Sequence, residues 1–259
     1  MDNENNETPT VQELAQAAEA SYSMTRNGKK QDRLEHAQSV APEGYNIMPQ
    51  YTDRMISTFK HNDFDTYIIA HRGTDIGGSQ TKKDIQSDWN IITGSEDSDL
   101  VHQKRTKKTE TIIKELMNSN SNNPIDIYLS SHSLGSSTAH HAMVNSKIVR
   151  DNVKELHTFN AGSSPFQSQK LDRKSPEYKI IKEKSTHHHI KGDLISDNTK
   201  KSYIGTHKTY STKKKVPVHK KVIKVLRPLL LGGWGIAWNM KENLEERLGN
   251  HSIANFTGR

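Results

Sequence analysis

The chain has 259 residues, enough for one α/β domain with a sizeable core, yet only 31% are apolar and 26% are charged, so much of it is polar surface. It contains no cysteine, which excludes a disulfide framework, a thiolate metal site and a cysteine nucleophile. The net charge of +7 is unevenly spread: residues 198–240 hold ten Lys or Arg and no acid, leaving 27 basic against 30 acidic residues elsewhere.

In chain order, residues 1–9 are polar and read as a disordered tail without the basic and apolar regions of a signal peptide. Thr10-Val11-Gln12-Glu13 then has the spacing of a capping box, and Val11, Leu14, Ala18 and Tyr22 mark one face of a helix. Residues 27–43 are polar and show no clear period. Residues 55–60 and 66–70 read as two strands joined by a turn at His61-Asn62-Asp63, the second apolar enough for the centre of a sheet. It runs into His71-Arg72-Gly73-Thr74-Asp75.

The most informative stretch is residues 125–142. Ile125, Ile127 and Leu129 alternate with Asp126 and Tyr128, the period of a strand. Ala139, Ala142 and Met143 then follow at helical spacing. Between them lies Ser131-His132-Ser133-Leu134-Gly135, and a strand turning at once into a helix through small-x-Ser-x-Gly is a nucleophile elbow. Such a turn places the serine at its tip and aims helix N–H groups at an anion formed during acyl transfer. Ser133 is therefore the candidate nucleophile, and the backbone N–H groups of Thr74 and Leu134 are the candidate oxyanion donors. Ser131 stands where glycine is usual, which predicts some steric cost.

Five pieces in order resemble the class 3 (fungal-type) lipases. These are His71-Arg72-Gly73-Thr74-Asp75, Ser131-His132-Ser133-Leu134-Gly135, Thr158-Phe159-Asn160-Ala161-Gly162-Ser163, Gly192-Asp193-Leu194-Ile195 and His251-Ser252-Ile253. The family commonly has an aromatic at the first position of the first piece and reads Thr-Phe-Gly-Ser-Pro in the third. The Lys- and Asn-rich composition and the ending His-Ser-Ile-Ala-Asn-Phe also resemble lipase-like hydrolases of large DNA viruses. The resemblance implies an α/β-hydrolase fold, with a mostly parallel central sheet and helices on both faces, filling residues 10–259 as a single domain. A basic insertion falls at about 198–227. It also implies ester hydrolysis by a Ser–His–Asp triad without a cofactor or metal.

The triad partners in that fold follow in the order Ser, acid, His. Asp193 comes 60 residues after Ser133, following an expected strand (187–190) and a glycine; Asp197 is the rival acid. His251 comes 58 residues later, after a helix-like run (240–248) and Gly249, with Ile253 and Phe256 placed to anchor its loop. His251 would take the Ser133 proton and pass it to the leaving alcohol, and Asp193 would orient the imidazole.

Other features read more plainly. His187-His188-His189 cannot all ligate one ion, because neighbours in a strand alternate faces, and the expectation is a strand of mixed exposure. His140 and His141 are expected in packing or at the surface, and Trp89, beside Asp88, in the core. The segment 75–87 is too polar for a clear amphipathic lid, which leaves lipase, phospholipase and esterase open.

The most apolar run, 228–238, spans 11 residues, too few to cross a bilayer, so a protein inside the cell or associated with a particle is expected. Its Trp234 and Trp238 beside the lysines from Lys200 onward suggest peripheral contact with an anionic membrane; a core element beside a solvated loop is the plainer reading. Nucleic-acid binding is disfavoured, since only Tyr203 and Tyr210 interleave the basic residues. The alternative to catalysis is a silent lipase-like fold acting as a structural or binding module.

Overall fold

In the computed structural model, residues 7–73, 100–162, 171–193, 196, 203–211 and 252–258 are described. Helix α1 (Val11–Ala20) begins where the capping box places it. The Glu13 N–H donates to Thr10 Oγ1 (3.2 Å), and the Thr10 N–H donates to Glu13 Oε2 (2.7 Å). A 3₁₀ turn, Ser21–Thr25, extends it. Helix α2 (Lys30–Ser39) lies in the stretch expected to be without pattern. It buries only Leu34 and Ala37, too few positions for a detectable period. It meets the sheet through the packing of Ile47 on Leu34 and Ala37 and through Gln38, which donates to the Tyr45 carbonyl (2.9 Å) and accepts from the Ile47 N–H (2.8 Å).

The described strands form one sheet of seven in sequential order: β1 (Tyr45–Ile47), β2 (Ile56–His61), β3 (Thr66–His71), β4 (Asp126–His132), β5 (Val153–Phe159), β6 (Ser185–Ile190) and β7 (Thr206–Tyr210). The first two pairings are antiparallel and the remaining four are parallel. The protein is thus of the α/β class with a mixed, mostly parallel sheet. Strand β7 lies inside the expected basic insertion, so part of that segment belongs to the sheet. All five of its residues are exposed, so no alternation of apolar residues announces it.

Because each parallel strand adds beside the last, the winding keeps one direction and one hand. The crossover helices α3 (Leu100–Ser119), α4 (Leu134–Asn145), α5 (Lys147–Asn152) and α6 (Pro176–Lys184) therefore share a face. Their Ile112, Ile113, Leu116, Ala139, Met143, Val149 and Ile181 pack on Tyr67, Ile69, Ile127, Leu129 and Leu156. The alternate strand residues Ile68, Ala70, Tyr128 and Phe159 point the other way, where Leu14, Ala17 and Ala18 of α1 cover them. The short helix α7 (Ala254–Thr257) completes this second layer. Its Thr257 carbonyl accepts from Gln12 Nε2 (3.2 Å) and Gln16 Nε2 (3.3 Å), and Phe256 packs on Phe159 with ring centroids 5.0 Å apart. Helices on both faces are as expected, and so is the anchoring of Ile253 and Phe256.

Asp53 ties the start of β2 to α3. Burial pushes its pKa up, but the Lys108 ammonium and the N–H groups of Met55 (2.7 Å) and Ile56 (3.0 Å) outweigh this and hold it below the ordinary carboxylate range. Its folded pKa is depressed, so the stabilisation is present above the unfolded value of about 4 and lost as pH falls through the folded value. Urea unfolding from pH 6 down to pH 2 should show this loss, and Asp53→Asn should flatten that acid limb.

Candidate active site at the carboxyl ends of the parallel strands

Strand β4 ends at His132 and helix α4 starts at Leu134, so one residue makes the whole reversal. That residue is Ser133, at φ 55° and ψ −128°, a conformation sparsely populated by residues with a Cβ. Two backbone bonds stitch it to β5 and its exit. The Ser133 N–H donates to the Phe159 carbonyl (3.2 Å), and its carbonyl accepts from the Gly162 N–H (3.2 Å). Leu134, buried, opens a helix of 12 residues, whose first N–H groups lack intrahelical partners and carry the positive end of the dipole.

The steric demand of this turn falls at Gly135 and not at Ser131. A Cβ on Gly135 would stand 2.2 Å from the His71 carbonyl oxygen and 2.8 Å from the Arg72 carbonyl group. Ser131 is fully buried without such a conflict; its Oγ donates to Ser136 Oγ (3.3 Å) and lies 3.5 Å from the His157 carbonyl. The serine in place of glycine is therefore accommodated between α4 and β5.

The end of β3 meets the same turn. Gly73 lies so close that a Cβ there would be 2.6 Å from the His132 carbonyl oxygen and 3.0 Å from Ser133 Cβ. The residues before it are fixed from below. His71 is buried with Nδ1 3.1 Å from Thr138 Oγ1 and Nε2 3.0 Å from Thr109 Oγ1, so it braces the loop and does not face the site. Burial, and next the Arg105 guanidinium, hold its pKa well below the ordinary histidine value, which keeps it neutral. Arg105 donates to the Arg72 carbonyl, while Arg72 Nε donates to the Arg54 carbonyl (2.8 Å).

On the other side of β4, Asn160 follows β5 at φ 44°. Glycine takes this left-handed region freely, and Asn is among the few other residues that take it readily. Its side chain accepts from the Ile190 N–H (2.9 Å), locking β5 to β6. Asp193 follows β6 after Gly192 (φ 84°) and is fully buried, with Oδ2 accepting from the Ser196 N–H (3.1 Å). Ser133, Gly73, Asn160 and Asp193 thus lie just past the carboxyl ends of four adjacent parallel strands, where ligands bind in open α/β sheets.

Of the expected site residues, Ser133, Leu134 and Asp193 are at this end of the sheet. Thr74 and His251 lie outside the described residues, as do Asp197, Trp89, the segment 75–87 and most of the stretch from Lys200 to Trp238. His187, His188 and His189 are all fully buried, which corrects the expected mixed exposure: α4 covers one face and Phe159 and Phe256 the other. They do alternate, His187 bonding Thr158 Oγ1 (2.8 Å) and His188 bonding His157 Nδ1 (3.0 Å). Among the described residues no group of three or more His, Cys, Asp or Glu could hold a metal, and no helix is long and apolar enough to cross a membrane. His140 and His141 are in packing, His140 Nε2 accepting from the Ile204 N–H (3.3 Å).

Tyr22 is a site neighbour that sequence reasoning assigned only to a helix face. Its hydroxyl lies 2.7 Å from His132 Nδ1, beside Gly73. Compared with known proteins, the chain matches no family model and no curated protein.

The two small-residue positions of the turn differ in their steric demand. Gly135→Ala should destabilise the fold by about 1–3 kcal/mol or more, because the clash is with backbone. Ser131→Gly should cost no more than about 1 kcal/mol, and denaturant melts of the two variants compare them directly.

Proposed function

We propose that the protein is a serine hydrolase of the α/β-hydrolase fold that cleaves carboxylic esters of lipids, of the kind the class 3 lipases represent. The observation that carries this reading is the backbone of Ser133. A buried strand delivers it, a strained one-residue reversal presents it, and a helix N-terminus and the Gly73 loop close around it. A turn used only for connection has no need of this conformation, and backbone strain of this kind clusters at functional sites.

In the proposed reaction, Ser133 Oγ attacks the ester carbon while His251 takes its proton. The Leu134 and Thr74 N–H groups stabilise the oxyanion. On collapse the carbon–alkoxide bond breaks and the alcohol leaves with that proton; water then repeats the sequence on the acyl-enzyme. Asp193 is the acid that orients His251. Two facts support these partners. Asp193 sits at the same end of the sheet, two strands from Ser133. The segment 252–257 packs through Phe256 on Phe159, the residue whose carbonyl holds the Ser133 N–H.

A fluorophosphonate probe followed by peptide mapping should label Ser133. Ser133→Ala should abolish both labelling and hydrolysis of p-nitrophenyl butyrate while leaving the melting temperature within a few degrees. Asp193→Asn should lower kcat by about 10⁴-fold. Labelling elsewhere, or a fully active Ser133→Ala, rejects the assignment of Ser133; a parent chain that neither labels nor hydrolyses leaves the fold as a binding or structural module.

A further inference from the structure

Tyr22 brings a phenol from the N-terminal layer to the turn that presents Ser133. It sits in the 3₁₀ turn after α1, and its ring meets the His132 ring edge-on, with centroids 5.8 Å apart. The point where a Cβ on Gly73 would stand is 2.2 Å from Tyr22 Oη and 3.0 Å from Ser133 Cβ, so phenol, loop and serine converge on one spot. Both Tyr22 and Ser133 are only partly buried.

The contact with His132 gives the phenolic proton two settings, set by which ring nitrogen carries the imidazole proton. Tyr22 Oη and His132 Nδ1 are 2.7 Å apart and share one hydrogen bond. With the proton on Nδ1, the imidazole donates to the phenol oxygen, and the phenolic O–H is turned toward another acceptor. On the acyl-transfer reading, the carbonyl oxygen of an acyl group attached to Ser133 would gather its charge beside Gly73, within reach of Tyr22. A phenol is among the side chains that serve as donors to such an oxygen.

We propose that Tyr22 is a further oxyanion donor, its O–H directed at the reacting carbonyl oxygen by the His132 Nδ1–H. This rests on the acyl-transfer reading of Ser133. When Ser133 Oγ bonds to the carbonyl carbon, the carbonyl π pair moves onto oxygen, and Tyr22 donates to that oxygen without giving up its proton. Collapse restores the carbonyl and expels the alkoxide, which leaves with the proton first taken from Ser133. His132 acts only through Tyr22 and is a positioning residue.

The test is Tyr22→Phe in the full chain, assayed with p-nitrophenyl butyrate and the fluorophosphonate probe beside the parent protein. Removing one donor should lower kcat on the order of 10²-fold with KM little changed, and should slow probe labelling similarly, because the phosphonyl oxygen occupies the same place. His132→Leu disarms the phenol without touching it and should produce the same kcat loss; the double variant should be no worse than either single one. If Tyr22→Phe does not fold, His132→Leu carries the test alone, and an unchanged kcat there overturns the proposal. An active parent beside a Tyr22→Phe with unchanged kcat, or with a loss confined to KM, overturns this proposal and spares the acyl-transfer reading. A parent that neither labels nor hydrolyses overturns both.

Discussion

The closest backbone approach at the site is that of Gly135 to the carbonyl of His71, where a Cβ would lie 2.2 Å from the oxygen. It brings the first turn of α4 onto the end of β3 and sets the reach of the turn at Ser133. The helix can come that close only because the surrounding groups hold β3 in place. Thr138 of α4 and Thr109 of α3 bond the two ring nitrogens of His71, and Arg105 of α3 donates to the next carbonyl. One missing side chain and three polar anchors thus join two crossover helices to the end of one strand.

Those anchors belong to an interior in which many polar side chains are buried beside the apolar ones. The α3–α4 contact is made by pairs such as His102–Ser137 (3.0 Å) and Thr106–His141 (2.9 Å). On the α1 side of the sheet a chain of bonds runs through Glu155, His157, His188 and Tyr210. The Glu155 carboxylate can only accept, so His157 Nε2 donates to it at 2.7 Å. His188 is held neutral, its pKa pushed down to about 3 by burial and then by His157. His157 Nδ1 lies 3.0 Å from His188 Nε2, and His188 Nδ1 lies 2.9 Å from the Tyr210 hydroxyl. These side chains join β5, β6 and β7 across the α1 face of the sheet. These pairs satisfy buried polar groups that would otherwise cost about 1–3 kcal/mol each.

What could be read from the sequence follows from the range over which each signal acts. The alternation in β3 and β4, the Thr10–Glu13 cap and the Ser133 turn are set by residues within a few positions of one another. Each of them formed where expected. Helix α2 and strand β1 depend on Gln38, which joins them through its side-chain amide, and β7 depends on pairing with β6; neither signal is local. Asn160 is legible only once its φ is known, since a left-handed position is where Asn can stand in for glycine. Burial of all three of His187, His188 and His189 was hidden because their polarity reads as exposure. Both ring nitrogens of His187 and of His188, and Nε2 of His189, are satisfied by Thr158, Ile204, His157, Tyr210 and His207, groups far apart in sequence.

The winding of the sheet also decides which parts of the chain can reach the serine. Crossovers of a single hand bring α3, α4, α5 and α6 to one face and leave the other to be covered from outside the crossovers. The N-terminal α1 and the late α7 meet that need and bind each other through Gln12, Gln16 and the Thr257 carbonyl. Both therefore arrive at the site for reasons of packing: α1 delivers Tyr22 to Gly73, and α7 sets Phe256 on Phe159 beside the Ser133 turn. The Ser133 turn is made by the middle of the chain, but its surroundings are supplied by residues near both ends. A sequence pattern confined to residues 125–142 can locate the serine, whereas Tyr22 and Phe256 are brought beside it by the covering of a bare sheet face.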